Sequence, residues 1–241
     1  MPTFITRLAT VCAVGGLTLG LATPALAQTD DTDEGRDPSA RCQTQIERRL
    51  GDLATAQSRV AGVEALTDAH EATINAIIDA TEAGLADQSV AIAEASDRET
   101  LATLCAEIAT EFRVYLVVLP QTHLTVGADR VDQAVERGEA LIARLDEAIA
   151  AADAAGADIA AAQALRDEAA AHLAAAEATV DGVGDTVLTV TPASWNDGDG
   201  AAVIEASRTA VRSAHGEITA GIEDGRDAVE AIRAALDAVA T

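Results

Sequence analysis

The chain has 241 residues and a formal charge of −24 at pH 7, with no lysine, so 16 arginines face 40 carboxylates. Such a field repels nucleic acid and anionic lipid and argues against both as partners. It draws cations and basic polypeptides, or simply keeps an exported chain soluble. Alanine makes up roughly a quarter of the residues and aromatics only 2%, so the core must be aliphatic and its stability must come from helix length.

Residues 1–27 read as a signal peptide. Arg7 is the positive n-region, Leu8 to Leu21 is uncharged and apolar, and Ala25-Leu26-Ala27 is a small-x-small cleavage pattern. An uncleaved anchor is the alternative, but the apolar run is short for a span and a polar segment follows at once. Cleavage would shift the charge from −24 to −25, because only Arg7 is lost. No transmembrane segment is expected in the mature chain. Residues 28–38 lack any aliphatic side chain and are expected to form a disordered acidic leader.

From there the spacing predicts an all-α protein. Ser39 is the expected cap of a first helix, with Cys42, Ile46, Leu50, Leu53, Val60 and Val63 on one face. Thr67 is the expected cap of a second, with Ile74, Ile77, Ile78, Thr81 and Leu85 buried. Ser96-Asp97-Arg98-Glu99 fits a capping box opening a third. That third helix carries Leu101, Leu104, Cys105, Ile108, Phe112, Tyr115 and Leu119 as its stripe. Pro120 should kink or break it. Val131, Val135, Ile142, Leu145, Ile149, Ala152 and Ile159 follow as a heptad seam.

Gly156 and Asp158 read as a helix stop followed by a helix start, although one uninterrupted helix is the rival. A fourth, alanine-dense helix runs from Ile159 and ends before Pro192. Thr191 to Gly200 reads as a loop, and a fifth helix extends from Ile204 to Val239. The expected architecture is an elongated antiparallel helical bundle of five main helices. Two three-helix bundles share a long kinked helix, about 58 residues if Pro120 only bends it. Residues 39–119 form the disulfide-stapled N-terminal bundle and 120–241 the coiled-coil-like C-terminal one. A single compact five-helix bundle is the rival.

Cys42 and Cys105 are the two cysteines left after cleavage. In an exported chain such a pair reads as a disulfide. An up-down-up path brings the starts of the first and third helices to the same end, in agreement with that pairing. A metal site lacks a third and fourth ligand at suitable spacing.

Phe112-Arg113-Val114-Tyr115 through Leu119-Pro120, then Ala128-Asp129-Arg130, resembles a family of uncharacterised, exported, alanine-rich helical proteins of high-GC Gram-positive bacteria. The resemblance covers residues 39–240, with this central stretch its distinctive part. A basic residue follows the proline in that family, where this chain has Gln121. The resemblance implies the same fold and export, a shared cysteine pair, and no catalytic residue.

The remaining motifs point away from catalysis. Leu119-Pro120-Gln121-Thr122 looks like a sortase signal but lies mid-chain, followed by His123 where glycine is expected. Asn196-Asp197-Gly198-Asp199-Gly200 has the look of a calcium loop, yet its first and last ligand positions hold Trp195 and Ala206. His70, His123, His172 and His215 fall on different segments without metal spacing. His123 continues an apolar face and is expected to be buried and hydrogen-bonded. Arg113 needs an acceptor, with Glu111 and Asp129 the candidates for an ion pair at the junction of the bundles. The sharper alternative is a partner-binding hot spot at Phe112, Arg113 and Tyr115. The expected function is a non-enzymatic secreted or cell-envelope spacer or interaction protein. It has no cofactor and binds an unknown protein partner or a second copy of itself. An acidic binding protein for cations or basic polypeptides is the alternative.

Overall fold

The computed structural model describes residues 37–240; the expected signal peptide and leader residues 28–36 lie outside them. Every regular element among the described residues is helical. α1 spans Pro38–Val60, α2 Asp68–Glu94 and α3 Arg98–Thr110. A π-helical turn covers Val114–Val118 and runs directly into α4, Leu119–Ala154. α5 (Ala160–Val180), α6 (Val183–Leu188), α7 (Pro192–Asn196) and α8 (Asp199–Val239) follow.

The first cap lies two residues earlier than the sequence suggests. Asp37, not Ser39, opens α1: its carboxylate accepts from the Ser39 N–H, and Pro38 takes the first helical position, where a missing donor costs nothing. Thr67 caps α2 as expected. α3 is capped by Asp97 rather than Ser96, its carboxylate accepting from both the Thr100 N–H and hydroxyl. The aliphatic stripes then do the packing. Ile46, Leu53, Ile74, Ile78, Leu85 and Ile108 are all at most 1% exposed and form one cluster with Val114 and Val118. α1 and α2 run antiparallel, since Gln43 meets Ser89 while Gln57 meets Asp79. The Cys42–Cys105 disulfide fastens α1 to α3.

The long third helix is interrupted seven residues before Pro120. α3 ends at Thr110, and Arg113 adopts a left-handed conformation with φ 43°. The π turn follows, in which the Leu119 N–H reaches back to the Val114 carbonyl. A wider turn at this point relieves the clash a proline ring makes with the carbonyl four residues earlier, so Pro120 sits at the start of α4 without breaking it. The interruption also shifts the buried positions. Continuing the α3 stripe would bury Tyr115, but Val114, Val117 and Val118 are buried and Tyr115 is 41% exposed.

α4, α5 and α8 form the second group of mutually packed helices. α4 and α5 are antiparallel, with Asp146 opposite Arg166 and Asp132 near Asp181. α8 runs with α4 and against α5: Gly127 faces Val211, Leu145 faces Gly225, and Gly221 lies against the Ala169 carbonyl. The turn between α4 and α5 is a Schellman motif. Gly156 has φ 84°, its N–H bonds the Asp153 carbonyl, and the Ala157 N–H bonds the Ala152 carbonyl. The interior has two clusters, one around Val131, Ala176 and Ala214 and one around Leu145, Ala162 and Ile232. Val239, expected on the buried face of α8, is 50% exposed.

Two features between α5 and α8 depart from the expected single helix and loop. α5 stops at Val180, where Asp181 is followed by Gly182 at φ 65°, and α6 starts anew. Thr191 to Gly200 is largely helical. Thr191 and Ser194 form a reciprocal capping box with Pro192 between them, and α8 begins after Gly198 at φ 99°.

One fully buried hydroxyl is unsatisfied. Thr125 on α4 is 0% exposed, and its Oγ1 has no hydrogen-bond partner among the described residues. Thr125→Val keeps the shape and removes the unmet polar group. It is expected to raise stability by about 1 kcal/mol and the melting temperature by roughly 2–4 °C. A thermal melt in which the valine variant unfolds earlier than wild type contradicts this.

Candidate functional site

The two sequence stretches that fit the helical pattern worst, Phe112–Pro120 and Thr191–Gly200, meet in space. Arg113 Nε donates to Asn196 Oδ1 at 2.8 Å, and Asn196 Nδ2 donates to the Thr110 carbonyl at 3.1 Å. One amide side chain thereby satisfies the frayed end of α3 and the left-handed residue beside it. Arg113 finds this partner instead of Glu111 or Asp129. The other expected junction residues face different elements. Phe112 packs on α2, so closely that a Cβ at Gly84 would fall 2.5 Å from its ring. The Tyr115 hydroxyl donates to Asp52 Oδ2 at 2.7 Å, and Arg49 stands 5.3 Å from the centre of its ring. The first three therefore contact α2, α7 and α1 in turn. His123 is exposed, not buried; the surrounding protein and then Arg59 lower its pKa.

Gln121 is 1% exposed. Its Nε2 donates to the carbonyls of Val187 and Val190 at 2.9 and 2.7 Å, pinning the end of α6 to α4. A cation there would be buried, which accounts for an uncharged amide at this position.

Asp129 has a different partner from the one expected. It is 4% exposed and holds the start of α2. Its two oxygens lie 2.8 and 2.9 Å from His70 Nδ1, and Oδ2 also accepts from the Thr67 N–H at 2.8 Å. His70 Nε2 points the other way, 3.3 Å from Asp185 Oδ1 on α6, and the imidazole lies against Gly184. Burial pulls the His70 pKa down, but hydrogen bonds and charge from Asp129 and then Asp185 outweigh it, and the net shift is upward. His172 on α5 repeats the arrangement at the surface. Its Nδ1 meets Glu217 at 2.6 Å and its Nε2 meets Asp224 at 3.4 Å, both on α8. The bond to Glu217 leads in raising its pKa. His215 resembles His123: desolvation and then Arg130 lower its pKa.

An open groove of 540 Å³ separates α4 from α5, lined by Asp132, Glu177, Asp181 and three small residues. A continuation of 290 Å³ adds Glu139, Ile142 and Leu173. The Asp132 pKa is raised by partial burial and then by the charges of Asp129, Glu177, Asp181 and Glu136.

Sequence reasoning missed His70, Asp129 as its partner, Asp185 and Asn196. His70 lies 59 residues from Asp129 and 115 from Asp185, so no local spacing could link them. The only linear signal was at Thr191-Pro192, where an N-cap residue before proline marks a helix start. No group of His, Cys, Asp and Glu among the described residues is arranged to hold a metal ion. No described helix is long and apolar enough to cross a membrane. Compared with family models, curated proteins and solved structures, the chain finds no match.

Proposed function

We propose that the chain is an exported, non-enzymatic helical spacer that acts through protein–protein interaction. The observation that carries this reading is the α4–α5–α8 group. Its helices are long, α8 with 41 residues and so about 60 Å. It presents the carboxylate-rimmed groove between α4 and α5 on an aliphatic framework that needs no ligand to fill it. The disulfide supports an oxidising, exported setting, as does the resemblance to exported helical proteins. Two of the four histidines are engaged in holding helices together: His70 binds two carboxylates across three helices, and His172 does so across two.

A second reading, an acidic protein that binds cations or basic polypeptides, is favoured by the crowding around Asp132, where like charges gather without a basic side chain lining the groove.

Photo-crosslinking in the producing cell tests the first reading. A photoreactive residue at Ala174, on the groove floor, is expected to give a discrete adduct, and one at the exposed Ala206 of α8 is not. The absence of an adduct at Ala174, or an equal adduct at Ala206, rejects the interaction module. For the second reading, calcium or polyarginine should raise the melting temperature, and high salt should abolish the gain.

A further inference from the structure

We propose that His70 is a proton-set latch: doubly protonated, it ties α6 to the start of α2 through Asp185, and on losing one proton it lets α6 go while keeping its grip on α4. The two ring nitrogens face carboxylates in opposite settings. Asp129 is 4% exposed and fixed by the Thr67 N–H, whereas Asp185 is 86% exposed. Asp129 on α4 and Asp185 on α6 are the charges that hold the proton on His70, and Asp132, one turn further along α4, lies in the field of Asp129.

The geometry decides which proton leaves. Neutral imidazole keeps one N–H. Retaining it on Nδ1 preserves the bond to buried Asp129, which has no access to water as a substitute. Retaining it on Nε2 would set a lone pair against that buried carboxylate. The Nε2 proton therefore goes, and its lone pair then faces the Asp185 carboxylate, which turns out into solvent. At this edge α6 also rests on partly buried Val183, which packs against the core around Val131 and Ala176, and on buried Gly184. Gly182 at φ 65° separates it from α5, and at its other end Gln121 grips the Val187 carbonyl. Losing the Asp185 contact loosens the start of α6 against this packing while its end stays fixed.

The direction follows from the raised pKa. The contribution of the latch is complete below the ordinary histidine value of about 6.5 and disappears as pH rises through the higher folded value.

Amide hydrogen exchange across Val183–Leu188, corrected for its intrinsic pH dependence, reads the latch. His70 is titrated by NMR in the same samples. In wild type, protection at the start of α6 is expected to fall several-fold as pH passes the His70 midpoint. Asp185→Asn, a surface change that leaves the fold intact, should remove the step and lower that midpoint. His70→Gln should also give a flat profile. The proposal is overturned if wild-type protection is constant across the midpoint, or if Asp185→Asn keeps the full step.

Discussion

Replacing Asp129 with alanine is expected to lower the unfolding free energy by about 3 kcal/mol, far more than an ordinary surface carboxylate. The carboxylate is buried and serves two donors, His70 Nδ1 and the Thr67 N–H, each at 2.8 Å. Alanine leaves both facing a space that water does not reach freely. Asp129→Asn retains a carbonyl oxygen for Thr67 but loses the charge opposite His70, and it should cost about half as much. Because the two side chains share one network, Asp129→Ala should cost distinctly less in a His70→Gln background. The coupling is expected to be about 1 kcal/mol or more. Urea unfolding at pH 6, where the imidazole is charged, gives all four values. An alanine variant within 0.5 kcal/mol of wild type, a loss in the range of roughly neutral surface substitutions, rules out a structural role for the pair.

The second large effect belongs to the disulfide. Cys42 and Cys105 are 63 residues apart, and the chain-entropy model assigns a loop of that length about 4 kcal/mol. The double alanine variant is expected to lose about that much, with a melting temperature lower by roughly 8–16 °C. The loss should be local. Amides of α1 and α3 should exchange faster, while those of α5 and α8, which share no core cluster with the cysteines, should change little. A loss under 1 kcal/mol would mean that the cluster of Ile46, Leu53, Ile74, Ile78 and Leu85 holds this end alone.

These two effects also mark how far sequence patterns reach. Ile46, Leu53, Ile74, Ile78 and the three-four steps of α8 announce themselves because burial on one helix face imposes a period. Gly156 was legible because a left-handed stop needs a residue without a Cβ. The break at Arg113 was not, since arginine in a left-handed conformation has no compositional sign and the visible breaker, Pro120, lies further on. Nor was the start of α6 located, although Asp181-Gly182 offered the same kind of punctuation as Gly156. Partners that meet only after folding are silent in the linear chain. Asp129, a candidate mate for Arg113 by sequence, serves His70 because the π turn and α4 bring it to the start of α2. Asn196 looked like turn material and proved to close the end of α3.

The π turn at Val114–Val118 has a geometric consequence of its own. It accommodates one residue more than an α-helical turn, and each residue of an α-helix advances the azimuth by about 100°. The wider turn absorbs that residue, so deleting one residue there and restoring ordinary winding would leave Asp129 facing His70 and Gln121 facing the carbonyls of α6. Deleting one residue inside α4 between Gln121 and Asp129 would instead turn Asp129 by that angle relative to Gln121. The π turn acts as an expansion joint that takes up a change of chain length without rotating the C-terminal helices.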